Sequence, residues 1–290
     1  MPSSYADMNN EQLRLNAQEG DAEAAFLLGK RLLAVRGGAM EGVEYLKEAA
    51  KKRHLQACEI LGSTFLYGEG GVPQDKRQAM VYYEQAQALG SVTARTRLID
   101  LYLDSEDKAE RGLQLLTDAA DAGDRKAAAR AARLYLTGEV RYVDLERAAK
   151  YALISDDSAV LFETAEKLDL LDTNEALRDE MYQKLLAKDR EGAQLGISAC
   201  LALGELYRRG KGTKADGRSA ERLFLRAIEL EKQQVMSEPK AELMLAELYE
   251  KGAEGLPADH ESARRLLRSA YKSGNELARV RYIELCTADG

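Results

Sequence analysis

Two histidines, three cysteines and many carboxylate pairs are the residues of this chain able to act on a substrate, so their spacing is the first test of function. His260-Glu261 opens like the zinc motif HExxH, but Arg264 stands where the second histidine must be. With only His54 besides, a histidine-rich metal site cannot be built, and both histidines read as surface or helix-start residues. Gly204 to Gly212 has the outline of a phosphate loop, yet five residues rather than four separate Gly204 from Gly210. Gly212 also follows Lys211 where Ser or Thr is required. That Gly-Lys-Gly reads as a turn. Paired carboxylates such as Asp156-Asp157 are plentiful, and on a highly charged helical surface such pairs are ordinarily solvated. Cys58, Cys200 and Cys286 are far apart, odd in number and without a CxxC, so they are expected to be small apolar core residues rather than a disulfide framework. No catalytic constellation, metal or cofactor is expected from these residues.

The elements that carry them repeat. Ala199, Leu203, Gly204 and Tyr207 share one side of a helix, Gly210-Lys211-Gly212 breaks it, and Ala220, Leu223, Phe224 and Ala227 form the stripe of a second helix. The first alanine of this unit has counterparts at Ala24, Ala57, Ala94, Ala127, Val160, Ala241 and Ala278, at intervals of 33 to 42 residues. A period of this length with two helices per period is the signature of an α-solenoid. Five residues past the mark stand mostly small residues, among them Gly29, Gly62, Ala132, Ala165, Gly204 and Ala246. Small residues there predict a close approach of the two helices.

The turns are equally regular. Gly68, Gly138, Gly210 and Gly252 open them, and Asp75, Asp144, Asp216 and Asp259 close them four residues before the alanine of the second helix. An aspartate there caps a helix N-terminus and favours its dipole. Gly20, Gly90, Gly123 and Gly274 end second helices. The pattern A-x3-LG-x2-Y-x2-GxG, then Asp, then A-x2-YY-x2-A-x3-G resembles the Sel-one-like repeat family, a relative of the tetratricopeptide repeats. Tyr67 to Gly90 and Ala199 to Ala227 match it closely, and the resemblance runs from about Gly20 to Cys286. Residues 156–198 keep only the helical period, and residues 228–240 lengthen the preceding helix by about a turn before Ser237-Glu238-Pro239 restarts the chain.

The fold expected is therefore all-α: one solenoid over residues 1–290, a right-handed superhelix of about seven helix-turn-helix repeats plus terminal half-repeats. The composition agrees, with 45 % hydrophobic and 31 % charged residues, four prolines and no tryptophan. A net charge of −7 disfavours nucleic acid or an anionic membrane as partner. No apolar run approaches the roughly 20 residues that span a bilayer. MPSSYADMNNEQ has no apolar signal core, so the chain as given reads as cytoplasmic, or as periplasmic or secreted if a signal was already removed. Residues 10–20 read as a lone second helix and 275–287 as a lone first helix. The C-terminal helix is under-capped, as in a piece of a longer solenoid or at a contact with another molecule.

The family resemblance implies a non-enzymatic scaffold or adaptor holding a partner protein or peptide, or alternatively a component of a polysaccharide-secretion or other envelope complex. Two series of residues are candidates for the binding face. Six residues past the mark, computed to lie opposite the buried stripe, stand Glu166, Glu205, Glu247 and Glu284, an acidic ladder in the last units. Two residues past the mark run Phe162, Leu201, Leu243 and Val280, an apolar rail. A basic, amphipathic peptide would satisfy both, anchored by the rail and steered by the ladder. The alternative is a solvated acidic face beside a rail that packs between neighbouring first helices.

Overall fold

The computed structural model describes residues 5–138, 143–191, 194–234 and 240–288. These form two compact units, residues 1–118 and 119–290. The first contains α1 (Asn10–Gln18), the pairs α2 (Ala22–Leu33) with α3 (Ala39–Lys51) and α4 (Leu55–Tyr67) with α5 (Lys76–Ala88), then α6 (Val92–Leu103). It also holds most of α7 (Ala109–Asp121). The second contains α8 (Arg125–Thr137) with α9 (Leu145–Ser155), α10 (Ser158–Leu170) with α11 (Glu175–Arg190), and α12 (Ile197–Arg209) with α13 (Gly217–Lys232). It ends in α14 (Lys240–Lys251) with α15 (His260–Lys272) and α16 (Glu276–Ala288). The described residues thus make seven helix pairs flanked by one lone helix at each end, as the sequence period requires. The restart at Ser237-Glu238-Pro239 lies outside the described residues.

The aspartates punctuate the chain as expected. Asp75, Asp144, Asp216 and Asp259 are the N-caps of α5, α9, α13 and α15, each accepting backbone N–H groups of the first turn. Such a cap contributes about 1 kcal/mol. The same four residues close the turn through their own N–H groups. These donate to the carbonyls of Phe65, Tyr135, Tyr207 and Tyr249 at 2.8, 3.0, 2.8 and 2.7 Å, so one bond pins every such hairpin to the aromatic position of its first helix. Gly68, Gly138, Gly210 and Gly252 enter these turns with φ between 68° and 75°, a conformation that costs other L-residues a steric penalty. His54 is a helix-start residue, its Nδ1 accepting from Ala57 N–H at 3.3 Å, and His260 opens α15.

Within pairs the helices meet where the sequence is small. A Cβ built on Gly204 would lie 2.3 Å from the Phe224 ring of α13, and one on Gly62 would lie 2.6 Å from the Tyr83 ring of α5. The ring fills the space that the missing side chain leaves, which is how α12 and α13 reach contact distance. The buried stripes follow the marks. Leu46, Leu61, Leu98 and Tyr102 are enclosed in the first unit, and Leu161, Leu168, Leu203, Phe224, Leu245 and Leu267 in the second. Burial pushes the Tyr83 phenol up to about 12.

Joints between pairs carry a recurring polar bond. The phenol of the first helix donates to a carboxylate on the preceding second helix: Tyr102 to Glu84, Tyr207 to Asp189 at 3.1 Å, and Tyr249 to Glu221. The divergent pair α10 and α11 instead joins internally, Tyr182 donating to Glu166 at 3.0 Å. One expectation needs correction. Cys58 and Cys200 are buried, but Cys286 is exposed, because it lies on a face of α16 that no described helix covers.

Candidate protein-interaction face

The first helices α10, α12 and α14 of the second unit lie side by side, and α16 packs on α15. Equivalent positions on these helices place the two predicted series. Phe162, Leu201 and Leu243 are half-buried, whereas Val280 on α16 is 48 % exposed. The rail is therefore partly sunk between neighbouring first helices and opens toward the last one.

The ladder has an unexpected environment. An ideal helix turns position +6 away from the core, yet Glu205 is only 7 % exposed. Its carboxylate accepts from Arg208 Nε at 3.0 Å and Nη2 at 2.8 Å, and pairs with Arg209 Nε at 2.9 Å. Arg209 then reaches back to α10, where its Nη1 lies 2.5 Å from Glu166. Glu247 is held by Lys251 at 2.8 Å and approached by Arg281 of α16 at 3.7 Å, while Arg281 bonds Glu250 at 2.6 Å. The hydrogen bond from Lys251 holds the Glu247 carboxyl below its ordinary range, with Arg208 and Arg281 adding to the effect. Bonding to Glu205 raises the Arg208 guanidinium, and Glu247 and Glu166 act in the same direction. Glu284 is exposed on α16. Carboxylates 166, 205 and 247 thus alternate with guanidiniums, and the strip is neutralised by its own protein. A near-buried ion pair of this kind keeps little field for an approaching chain.

Beside that strip, at the N-terminal ends of the same helices, the second unit has a groove of about 940 Å³. Its apolar lining includes Phe162 of α10, Ile197 and Leu201 of α12 and Met244 of α14. Asp156, Asp157 and Glu163 stand on the α10 side, and Glu231, Gln234 and Lys240 on the α14 side. Two rail residues, Phe162 and Leu201, are brought together here; Leu243 and Val280 are not in this lining. Glu231 comes from the extended end of α13, which at 16 residues outruns the 13 of α5 and α9's partner α8. There the Glu231 carboxylate accepts from Ala241 N–H at 3.2 Å and caps α14 from outside that helix. Burial pushes the Glu231 carboxyl up, and neighbouring Glu242 adds to the shift. The extra turn at residues 228–232 was visible in the sequence; its use as a remote cap was not.

No group of three His, Cys, Asp or Glu side chains placed to hold a metal ion occurs among the described residues. No helix among them is long and apolar enough to cross a membrane. What the face offers is a shaped apolar floor with ionic edges.

Helix pairs of this period, capped and pinned alike, define the class of α-solenoid repeat proteins. The Sel1 repeat model matches residues 55–91, 125–155, 197–231 and 239–275, so the chain is a Sel1 repeat protein. The divergent pair α10 and α11 falls between two of these matches and nevertheless folds as a helix pair like its neighbours. Among solved structures it is similar to a Sel1 repeat protein from Oxalobacter formigenes, at 20% identity and a TM-score of 0.63, over 95% of this chain and 89% of that one. It is also similar to c5321, a protective antigen of uropathogenic Escherichia coli with an SLR fold. That likeness has 21% identity and a TM-score of 0.51, over 95% of this chain and 67% of the antigen. At these identities the likeness is one of fold. No curated protein matches the chain. Sel1 repeats generally serve as protein-interaction modules.

Proposed function

We propose that this chain is a scaffold without chemistry of its own, which holds a segment of a partner protein across the first helices α10, α12 and α14. The observation that supports this reading is the groove. Its volume, about 940 Å³, suits a short peptide segment, and its floor collects Phe162, Ile197, Leu201 and Met244 from three consecutive first helices. The sugar-binding alternative would use exposed aromatic faces for stacking. Phe162 is the one aromatic among the residues lining this groove, and Tyr182, Tyr207 and Tyr249 turn their hydroxyls onto carboxylates of the protein itself. A peptide therefore fits the surface better than a polysaccharide.

Site-specific photo-crosslinking in the native host tests the assignment. A crosslinking residue at Leu201 or Phe162 should trap a defined protein adduct, and one at the exposed Leu225 of α13 should not. Equal trapping at all three positions, or none at Leu201 and Phe162, refutes the groove as the docking face.

A further inference from the structure

The charges that line the groove differ from those of the ladder. Four of its lining residues are carboxylates, Asp156, Asp157, Glu163 and Glu231, against one ammonium, Lys240. Glu231 is committed to capping α14, and Asp156 lies 3.0 Å from Lys188 and 3.7 Å from Lys184. Asp157 caps α10 through Oδ1, which accepts from Val160 N–H at 3.0 Å, and its second oxygen is left for a ligand; it converges with Glu163. Arg133 of α8, which does not line the groove, lies 3.9 Å from Asp157 and 3.8 Å from Glu163. Two carboxylates within reach of one guanidinium already form a seat for a cation. Both contacts are longer than a hydrogen bond, and all three side chains are about half exposed, so the seat is loosely held. Beside it, Phe162 offers the apolar floor.

We propose that the groove takes a segment whose apolar side chain rests against Phe162 and Leu201 and whose adjacent arginine or lysine pairs with Asp157 and Glu163. This rests on the reading of the groove as the docking face, and adds the chemistry of its occupant. Polarity across the groove sets the orientation: the basic end lies over α10, away from Lys240 at the start of α14. Glu166, Glu205 and Glu247 of the ladder, already paired with cations of the protein itself, contribute little to this recognition. Apolar contact supplies most of the affinity and the cation seat supplies direction and selectivity.

Three fluorescein-labelled synthetic peptides with one shared apolar core, ending in two arginines, two glutamines or two glutamates, provide the test by fluorescence anisotropy. The arginine peptide should bind at least about tenfold more tightly than the glutamate peptide in dilute buffer, with the glutamine peptide between them. The spread should collapse in high salt, where the screening length falls to a few ångströms. The double variant Asp157→Asn/Glu163→Gln should weaken the arginine peptide about tenfold and leave the glutamine peptide unchanged. Asparagine retains the oxygen that caps α10, so the fold is preserved. Phe162→Ser should weaken all three. If the three peptides bind equally, or the double variant changes nothing, the cation seat is wrong; the groove itself survives provided Phe162→Ser still weakens binding. If Phe162→Ser also has no effect, or none of the peptides binds, the docking face falls with it.

Discussion

Replacing Gly204 by leucine is the sharpest test of the packing on which the repeat depends. The Cβ alone would stand 2.3, 2.7 and 2.8 Å from three atoms of the Phe224 ring, and the ring is completely enclosed, so it has nowhere to swing. Leucine adds three further carbons to the same space. Overpacking of a filled core costs about 1–3 kcal/mol, and three simultaneous sub-contact distances put this site at the upper end. Leaving glycine in a helix interior returns about 1 kcal/mol, because leucine is the better helix former. The net loss is about 2 kcal/mol. For a unit of this size, that lowers the melting temperature by about 4–8 °C.

A melting shift alone would not locate the clash, and a double variant does. Phe224→Ala empties the space that the leucine needs and on its own costs about 3–5 kcal/mol. In Gly204→Leu/Phe224→Ala the new side chain occupies the vacated volume, so the two losses should sum to more than the double variant shows, by about 1–2 kcal/mol. Urea denaturation followed by circular dichroism measures all four proteins, and hydrogen exchange of α12 and α13 confirms that the change is local. Additivity within about 0.5 kcal/mol would refute the claim that Gly204 is small because Phe224 lies against it.

The remaining predictions concern the polar joints. Burial raises the folded pKa of Glu231 above its unfolded value of about 4.3, so its contribution is favourable below about pH 4 and is lost as pH rises through the folded value. Glu231→Gln keeps a capping oxygen without the charge, and should gain stability relative to wild type between about pH 4 and 7 in urea titrations; a pH-independent difference contradicts the assignment. Tyr207→Phe removes the bond to Asp189 between α11 and α12, and should cost about 1–2 kcal/mol while accelerating hydrogen exchange at that joint. Unchanged exchange there would show that the hydroxyl does not fasten the two helices.

The parts of this fold that local chemistry dictates were legible in the sequence. An aspartate four residues before an alanine stripe has little else to do but cap, and Asp75, Asp144, Asp216 and Asp259 all do so. A small residue at a fixed distance along an apolar stripe marks a close contact, and Gly62 and Gly204 each face a ring. Period arithmetic also located the lone helices at 10–20 and 275–287. The environment of Glu205 was not legible. An ideal helical wheel puts position +6 opposite the core, but the wheel ignores arginines at +9 and +10, whose long side chains fold back over the carboxylate and enclose it. The seat formed by Asp157 and Glu163 depends on Arg133, a residue one repeat earlier, and no spacing rule within a single helix reveals a contact of that range.

The two acidic features of the second unit are consequently of different kinds, and geometry separates them. Along the ladder, Glu166, Glu205 and Glu247 are each met by a guanidinium from their own or the following first helix, in bonds of 2.5–3.0 Å at Glu166 and Glu205 and at 3.7 Å at Glu247. Short contacts to the side chains of a neighbouring repeat set how α12 sits on α10, so the ladder belongs to the stacking of the repeats. At the groove the ion pairs lengthen to 3.8 and 3.9 Å and the side chains are half exposed, so an incoming cation can displace Arg133 at small cost. Carboxylates on these first helices thus fasten repeats where arginine reaches them closely, and face outward where arginine falls short. A sequence pattern of glutamates on successive first helices cannot distinguish these cases. The distances to the nearest guanidinium can.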